Sequence, residues 1–158
     1  MNNEALSEAA EFFYETCELW EDEDLDPEDH IEVLRRAFRS SDCDDFAAVL
    51  SRMTGWDVVT MSWQIPDWGM GHHALVKNPE GRLLDIGGWT DEAKLKKYFG
   101  LKKSTAVKWA DGHLSSPLYD DEETITLMEN TVRNLPFEPF SDPAFQASLV
   151  TTPLDCDI

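Results

Sequence analysis

The chain has 158 residues, of which 32 are acidic and 13 basic, so its net charge is -19. A surface this acidic repels nucleic-acid phosphates, and direct binding of DNA or RNA is not expected. No apolar run is long enough to span a bilayer, and the N-terminus lacks the pattern of a secretory signal, so we predict a cytoplasmic protein that does not enter a membrane.

The length fits one α+β domain over residues 1–158, with a core at about 28–110 and an extended tail at 135–158. The three cysteines are Cys17, Cys43 and Cys156. An odd number of widely spaced cysteines argues against a disulfide framework, and none has zinc-finger spacing. We therefore expect no structural zinc site.

The first predicted helix covers residues 4–20 and is amphipathic. One stripe is apolar and the opposite stripe is acidic. The apolar stripe is Leu6, Ala9, Phe13, Cys17 and Trp20, and the acidic stripe is Glu4, Glu8, Glu11, Glu15 and Glu18. The acidic stripe is interpreted first as a solubilising surface and alternatively as a site for a basic partner.

A second helix is predicted to begin at Pro27 with Asp26 as its N-cap. A third helix begins near Cys43, and Gly55 ends it as a C-cap. Strands, turns and further helices follow in alternation. The predicted segments are a strand at 57–63, a loop at 64–71, a strand at 72–77, a turn at 78–81, a strand at 82–86, a helix to residue 99, a strand at 105–109 and a helix at 120–134.

Cys43 lies where the backbone N–H groups of the third helix converge, a position that favours a thiolate. His72 and His73 lie on one strand of the predicted hairpin, and Asp85 lies on the other. Residues of the same parity across a hairpin can touch, whereas adjacent strand residues face opposite sides. Only one of the two histidines can therefore join Cys43 and Asp85.

Three segments carry a family resemblance: Asp42-Cys43-Asp44-Asp45-Phe46-Ala47, His73-Ala74-Leu75-Val76 and Gly81-Arg82-Leu83-Leu84-Asp85. Their order resembles the core of the papain-like and transglutaminase-like cysteine peptidase superfamily, and uncharacterised bacterial or phage-borne members are most similar. The resemblance covers about residues 40–90. It implies a papain-like α+β fold in which N-terminal helices and a cysteine-bearing helix pack on a small antiparallel sheet.

The same resemblance favours His73 over His72. It implies a catalytic triad with Cys43 as nucleophile, His73 as base and Asp85 as the carboxylate that orients the imidazole. The expected chemistry is acyl transfer or amide hydrolysis on a protein or peptide substrate through a Cys43 thioester. This chemistry needs no metal and no organic cofactor, so we expect neither.

Three residues near this triad are candidates for substrate contacts. Trp63 or Trp68 could form the wall of an acyl pocket, and Gln64 could donate a hydrogen bond to an oxyanion. Core packing is the alternative interpretation of the tryptophans.

A function of another class is also compatible with the composition. The acidic first helix and the acidic residues after it could make the chain a non-enzymatic inhibitor or effector, possibly phage-encoded, that binds a basic protein surface. The two functions differ in whether Cys43 is required.

Overall fold

A computed structural model describes residues 3–114, 117 and 121–150, and these form an α+β architecture. The helices are α1 (Asn3–Thr16), α2 (His30–Arg36), α3 (Cys43–Thr54), α4 (Glu92–Tyr98), α5 (Glu122–Asn134) and α6 (Pro143–Ser148). The strands are β1 (Asp57–Ile65), β2 (Gly69–Lys77), β3 (Leu83–Asp85), β4 (Gly88–Thr90) and β5 (Val107–Asp111). They form one antiparallel sheet in the order β4-β3-β2-β1-β5. Within the described ranges, no helix is both long and apolar enough to cross a membrane.

The amphipathic character predicted for the first helix is present in α1. Leu6, Ala9 and Phe13 are buried in the main core, and the glutamates of the acidic stripe are exposed. The helix ends earlier than predicted, because the chain leaves α1 at Thr16 and forms a short 3₁₀ turn. The apolar stripe consequently stops short of Trp20, which is about half exposed.

The second helix begins later than predicted. Its N-cap is Asp29, whose carboxylate accepts the Glu32 N–H at 3.2 Å, whereas Asp26 closes the preceding turn by accepting the Glu28 N–H. After α2 the backbone widens into a π-helical turn at Ala37–Ser41. This turn buries Arg39, which takes part in the candidate site described below.

Helix α3 begins at Cys43, as predicted, and ends at Gly55, whose φ of +76° suits a glycine C-cap. Asp42 occupies the N-cap position but makes no side-chain capping bond. Its carboxylate accepts a hydrogen bond from the Cys17 thiol at 3.4 Å instead. Cys17 is thus a packed thiol of the helical layer.

The central hairpin of β1 and β2 is longer than predicted. It pairs Asp57 with Lys77 at one end and Ile65 with Gly69 at the other, so most of the predicted loop belongs to the two strands. Strand β3 pairs with β2 only at Val76 and Lys77. Strand β4, which the sequence did not predict, extends the sheet beyond β3.

The two faces of the sheet contact different helices. On one face Val58 and Ala74 pack against Cys43 and Ala47 of α3. On the other face, Leu95 of α4 packs among side chains of the two central strands. The strand side chains in that second cluster are Val59, Met61, Trp63 and Leu75. Alternation along β2 therefore directs neighbouring residues into separate environments.

The C-terminal region differs from the predicted extended tail. Residues 135–150 contain α6 and bury Leu135, Phe140 and Phe145 in the main core. The prolines of this region suggested loose packing, but its aromatic side chains pack into the core. The predicted tail residues 151–158, which include Cys156, lie outside the described residues.

Candidate active site

The Cys43 side chain is buried at the first residue of α3, with 2 % of the residue exposed. The N–H of Ala74 donates a hydrogen bond toward its sulfur. Burial, opposed by the Ala74 N–H and assisted by the Asp44 charge, raises the pKa of the Cys43 thiol to about 11. The thiol therefore carries its proton at neutral pH.

His73 and Asp85 form a buried pair, as their places on the hairpin predicted. The Nε2 atom of His73 lies 2.9 Å from Oδ2 of Asp85, and neither residue is more than 2 % exposed. An ionised carboxylate can only accept a hydrogen bond, so Nε2 carries the hydrogen of this contact. In a neutral ring, Nδ1 is then the atom with the free lone pair.

The Nδ1 atom of His73 is buried without a hydrogen-bond partner among the described residues. The other atom in this condition is the hydroxyl oxygen of Thr90. Leaving a buried polar atom unpaired is unfavourable, and such atoms are uncommon in folded proteins. Nδ1 is thus a buried ring nitrogen that could still bond another group.

Arg39 completes the environment of Asp85. Its Nε lies 2.7 Å from Oδ2 and its Nη2 lies 2.9 Å from Oδ1, a two-point contact in which the guanidinium also stacks on the Tyr98 ring. The N–H of Gly87 donates to Oδ1 as well. Burial by itself raises the pKa of Asp85, but hydrogen bonds from His73 and Arg39 lower it well below its usual range.

Sequence reasoning did not assign Arg39 to the site. Arg39 and Asp85 are 46 positions apart, and no local spacing relates them. The available signal was an arginine beside Phe38 on the apolar side of a helix, where a charge is buried only when it is paired. That signal indicates a buried ion pair without identifying the partner.

The Cys43 thiol lies next to the backbone of β2 beside His73 but does not bond the His73 ring. The sulfur contacts the N–H of Ala74, the residue that follows His73, yet it is not a hydrogen-bond partner of Nδ1. The His73 ring instead lies 5.4 Å, centroid to centroid, from Phe99 on the α4 side of the sheet. The structure therefore joins two of the three predicted catalytic residues directly.

A second polar cluster surrounds the Cys43 thiol. Oδ2 of Asp44 lies 3.9 Å from Sγ and 2.9 Å from Nε2 of His72, while Oδ1 lies 3.2 Å from Nδ1 of His113. One ligand-type atom from each of Cys43, Asp44 and His72 falls within 4.8 Å of the other two. These are the side chains here that could hold a metal ion; two come from the first turn of α3 and the third from β2.

The three residues proposed to contact substrate lie in unlike environments. Trp63 is buried, packs against Phe99 and covers Gly71, where an added Cβ would meet the indole at 2.5 Å. Trp68 is 86 % exposed at the β1–β2 turn, and Gln64 is exposed one residue after Trp63. For Trp63 the structure supports the core-packing interpretation.

Comparisons with known proteins indicate no function, so the chemistry is inferred from the geometry of the site. No family model matches the chain, and no curated protein or solved structure matches it significantly. The arrangement itself offers a carboxylate-oriented imidazole with one unpaired nitrogen and a thiol bonded to the next residue of the same strand. An imidazole oriented in this way can accept and donate protons once a nucleophile reaches its unpaired nitrogen.

Proposed function

We propose that the chain catalyses cysteine-dependent acyl transfer or amide hydrolysis on a papain-like scaffold, with Cys43 as nucleophile, His73 as base and Asp85 as orienting carboxylate. The observation that carries the proposal is the unpaired, buried Nδ1 of His73. A general base needs one ring nitrogen fixed by a third group and the other available to the nucleophile. Asp85 occupies the first nitrogen and leaves the second available.

In this mechanism Nδ1 takes the thiol proton while Sγ attacks the carbonyl carbon of an amide. The resulting imidazolium is stabilised by the Asp85 carboxylate and returns the proton to the leaving amine, so a thioester forms on Cys43 and an amine departs. Water or a second amine then cleaves the thioester, again with His73 as base. Because burial raises the thiol pKa to about 11, deprotonation accompanies attack and no thiolate is formed beforehand.

Arg39 has a supporting role in this proposal. Its two hydrogen bonds hold Asp85 in its ionised form and fix the plane of the carboxylate toward His73. The mechanism also requires a rearrangement, because the Cys43 thiol packs on the α3 face of β2 whereas the His73 ring lies on the α4 face. Sγ must leave its contact with Asp44, and Nδ1 must come to the same side of the strand. Protein and peptide amides are the substrate class that this chemistry serves.

Alkylation by iodoacetamide tests the proposal, because the chain provides an internal comparison. Cys17 is less buried than Cys43, and its pKa is raised to about 12 by burial and by Asp42. Without assistance from an imidazole, the more buried Cys43 should react more slowly than Cys17. We expect the opposite: peptide mapping after labelling at neutral pH should find Cys43 modified at least about tenfold faster, as expected for general-base assistance.

The matched control uses the two neighbouring histidines. His73→Ala and Asp85→Asn should remove the preferential labelling of Cys43, and His72→Ala should preserve it. Circular dichroism spectra of the variants would establish that each remains folded. Equal labelling of Cys43 and Cys17 in the native protein, or labelling of Cys43 that persists in folded His73→Ala, would contradict the proposal.

The second candidate function is binding of a basic protein surface by the acidic side of α1. The exposed glutamates of that helix favour it, together with the net charge of -19. If this candidate holds, replacing Glu8, Glu11 and Glu15 by lysine should abolish binding of the basic partner. Cys43→Ala should then leave that binding unchanged. The opposite pattern is expected for the enzyme.

A further inference from the structure

The cluster of Cys43, Asp44 and His72 is separate from the contacts among His73, Asp85 and Arg39. Its three residues are the group in the described part of the chain whose donor atoms converge closely enough for one ion. Sulfur, carboxylate oxygen and imidazole nitrogen together form a donor set suited to zinc. We propose that these three side chains form a binding site for Zn²⁺ or a chemically similar divalent ion.

The order of the groups distinguishes a metal site from a catalytic relay. In a relay the imidazole stands between the thiol and the carboxylate. Here the carboxylate stands between them, because Oδ2 of Asp44 contacts both Sγ of Cys43 and Nε2 of His72. Three donors that face one another in this way converge on a shared point, as ligands of one ion do.

The distances fit a shared ion after the side chains adjust. Ligand atoms of a tetrahedral zinc site lie about 3.4 to 3.6 Å apart, given the usual zinc–ligand bond lengths. The Cys43–Asp44 separation is 3.9 Å and the Asp44–His72 separation is 2.9 Å, so one must shorten and the other lengthen by about half an ångström. The Cys43–His72 separation lies within 4.8 Å and must shorten by up to about 1.3 Å. Rotation of side chains at the start of α3 and on β2 can provide this change.

His113 supplies the support that metal ligands usually receive from a second residue. Its Nδ1 lies 3.2 Å from Oδ1 of Asp44, the carboxylate oxygen that does not face the thiol. A hydrogen bond to the outer oxygen orients a ligating carboxylate. Three protein ligands leave a fourth coordination position for water, and His72 lies partly in solvent, which gives the ion a route of entry.

The inference goes beyond the proposed function and does not depend on it. Both use the Cys43 sulfur, but metal binding requires Asp44 and His72, whereas the acyl-transfer proposal requires His73 and Asp85. On coordination the thiol proton leaves to solvent and the sulfur becomes a metal ligand. A bound ion would therefore occupy the nucleophile and suppress its alkylation.

Cobalt provides an optical test, since Co²⁺ bound to thiolate gives a charge-transfer absorption in the near ultraviolet. The full, untagged chain is first treated with chelator and then titrated with Co²⁺. We expect one Co²⁺ per chain with the thiolate band, and displacement of that Co²⁺ by Zn²⁺. Cys43→Ser and His72→Ala should lose the band, and His113→Ala should weaken cobalt binding about 10- to 100-fold.

Three variants serve as matched controls: Cys17→Ser, Cys156→Ser and His30→Ala should all retain the band. Thermal melting gives a second readout, because Zn²⁺ should raise the Tm of the native chain and of these controls but not that of His72→Ala. Absence of a thiolate band in the native chain, or its persistence in Cys43→Ser or His72→Ala, would overturn the inference. A band lost in His72→Ala and kept in His73→Ala would support the metal site whatever the outcome for acyl transfer.

Discussion

His72 and His73 are adjacent on β2, yet the structure gives them opposite environments. His73 is fully buried and bonded to Asp85, whose other contacts include Arg39. His72 is about one-third exposed and bonded to Asp44 beside the Cys43 thiol. Alternation along the strand, rather than the identity of the residue, separates a buried ion pair from an accessible cluster.

This comparison shows how two carboxylates can use histidine differently. Asp85 accepts hydrogen bonds from a guanidinium, an imidazole and a backbone N–H, and these donors compensate its negative charge. Asp44 bridges two imidazoles and approaches a thiol at the start of a helix. The first arrangement contributes to the stability of the fold, and the second gathers donor atoms that could accept an ion.

The largest effect is expected from Asp85→Ala. This variant leaves the Arg39 guanidinium buried without its carboxylate, and breaking a buried ion pair from one side costs about 3–5 kcal/mol. Urea unfolding followed by fluorescence would measure the loss in the free energy of unfolding. A loss below about 1 kcal/mol would show that Arg39 finds water or another partner, and would break the contrast with Asp44.

A double variant sharpens the same prediction. Arg39→Met combined with Asp85→Leu removes both charges, so no uncompensated ion remains in the interior. The double variant should therefore be more stable than Asp85→Ala alone. The opposite order would indicate that the geometry of the ion pair, and not merely its charge balance, holds β3 to the helical layer.

His73→Ala should be the next most destabilising substitution, by about 2–4 kcal/mol. It opens a cavity beside Phe99 and removes one hydrogen bond of Asp85. The loss should be smaller than that of Asp85→Ala because the contact of Asp85 with Arg39 persists. Urea unfolding of His30→Ala, a histidine at the start of α2, provides the control and should show a change within about 0.5 kcal/mol.

Acid titration isolates the Asp85 contribution in a different way. Hydrogen bonds from His73 and Arg39 lower its pKa in the folded state, so its stabilising effect is complete above the unfolded value of about 3.9 and is lost as the pH falls. Between pH 4 and pH 3 the unfolded chain binds this proton and the folded chain does not. The native protein should lose about 1 kcal/mol more than Asp85→Asn over this interval.

Urea unfolding at a series of pH values measures this difference, and subtraction of the Asp85→Asn series removes the effects of the other acids. Equal slopes for the two proteins below pH 4 would mean that Asp85 is protonated at its ordinary pKa in the folded chain. The ion pair of Asp85 with Arg39 would then be absent in solution.

The sequence predicted those parts of the fold that depend on local pattern. Periodicity and the glycine at position 55 placed α3, and the turn at 78–81 located the hairpin that joins β2 to β3. Strand β4 was missed because two glycines suggested an end to the pairing, yet Gly88 at φ +89° is where the chain turns back along β3. Residues 135–150 were misjudged because composition indicated exposure, while Phe140 and Phe145 are buried in a core whose other members lie far away along the chain.

The site was predictable to the extent that one hairpin determines it. His73 and Asp85 flank a single turn, so their parity sufficed to place them together. Arg39 and His113 reach their carboxylates from 46 and 69 residues away, through a π-helical turn and the segment after β5. No local rule predicts those distances, since they depend on how the helices pack against the sheet.

The smallest effect is expected from His72→Ala, which should change the free energy of unfolding by no more than about 1 kcal/mol. Its ring is partly in solvent, and Asp44 retains its contact with His113 when His72 is removed. Parallel urea curves for His72→Ala and His73→Ala measure the contrast directly, since the two positions are adjacent and carry the same substitution. Comparable losses would mean that the two faces of β2 contribute alike, and that the cluster around Cys43 is as much a structural support as the pair on the other side of the strand.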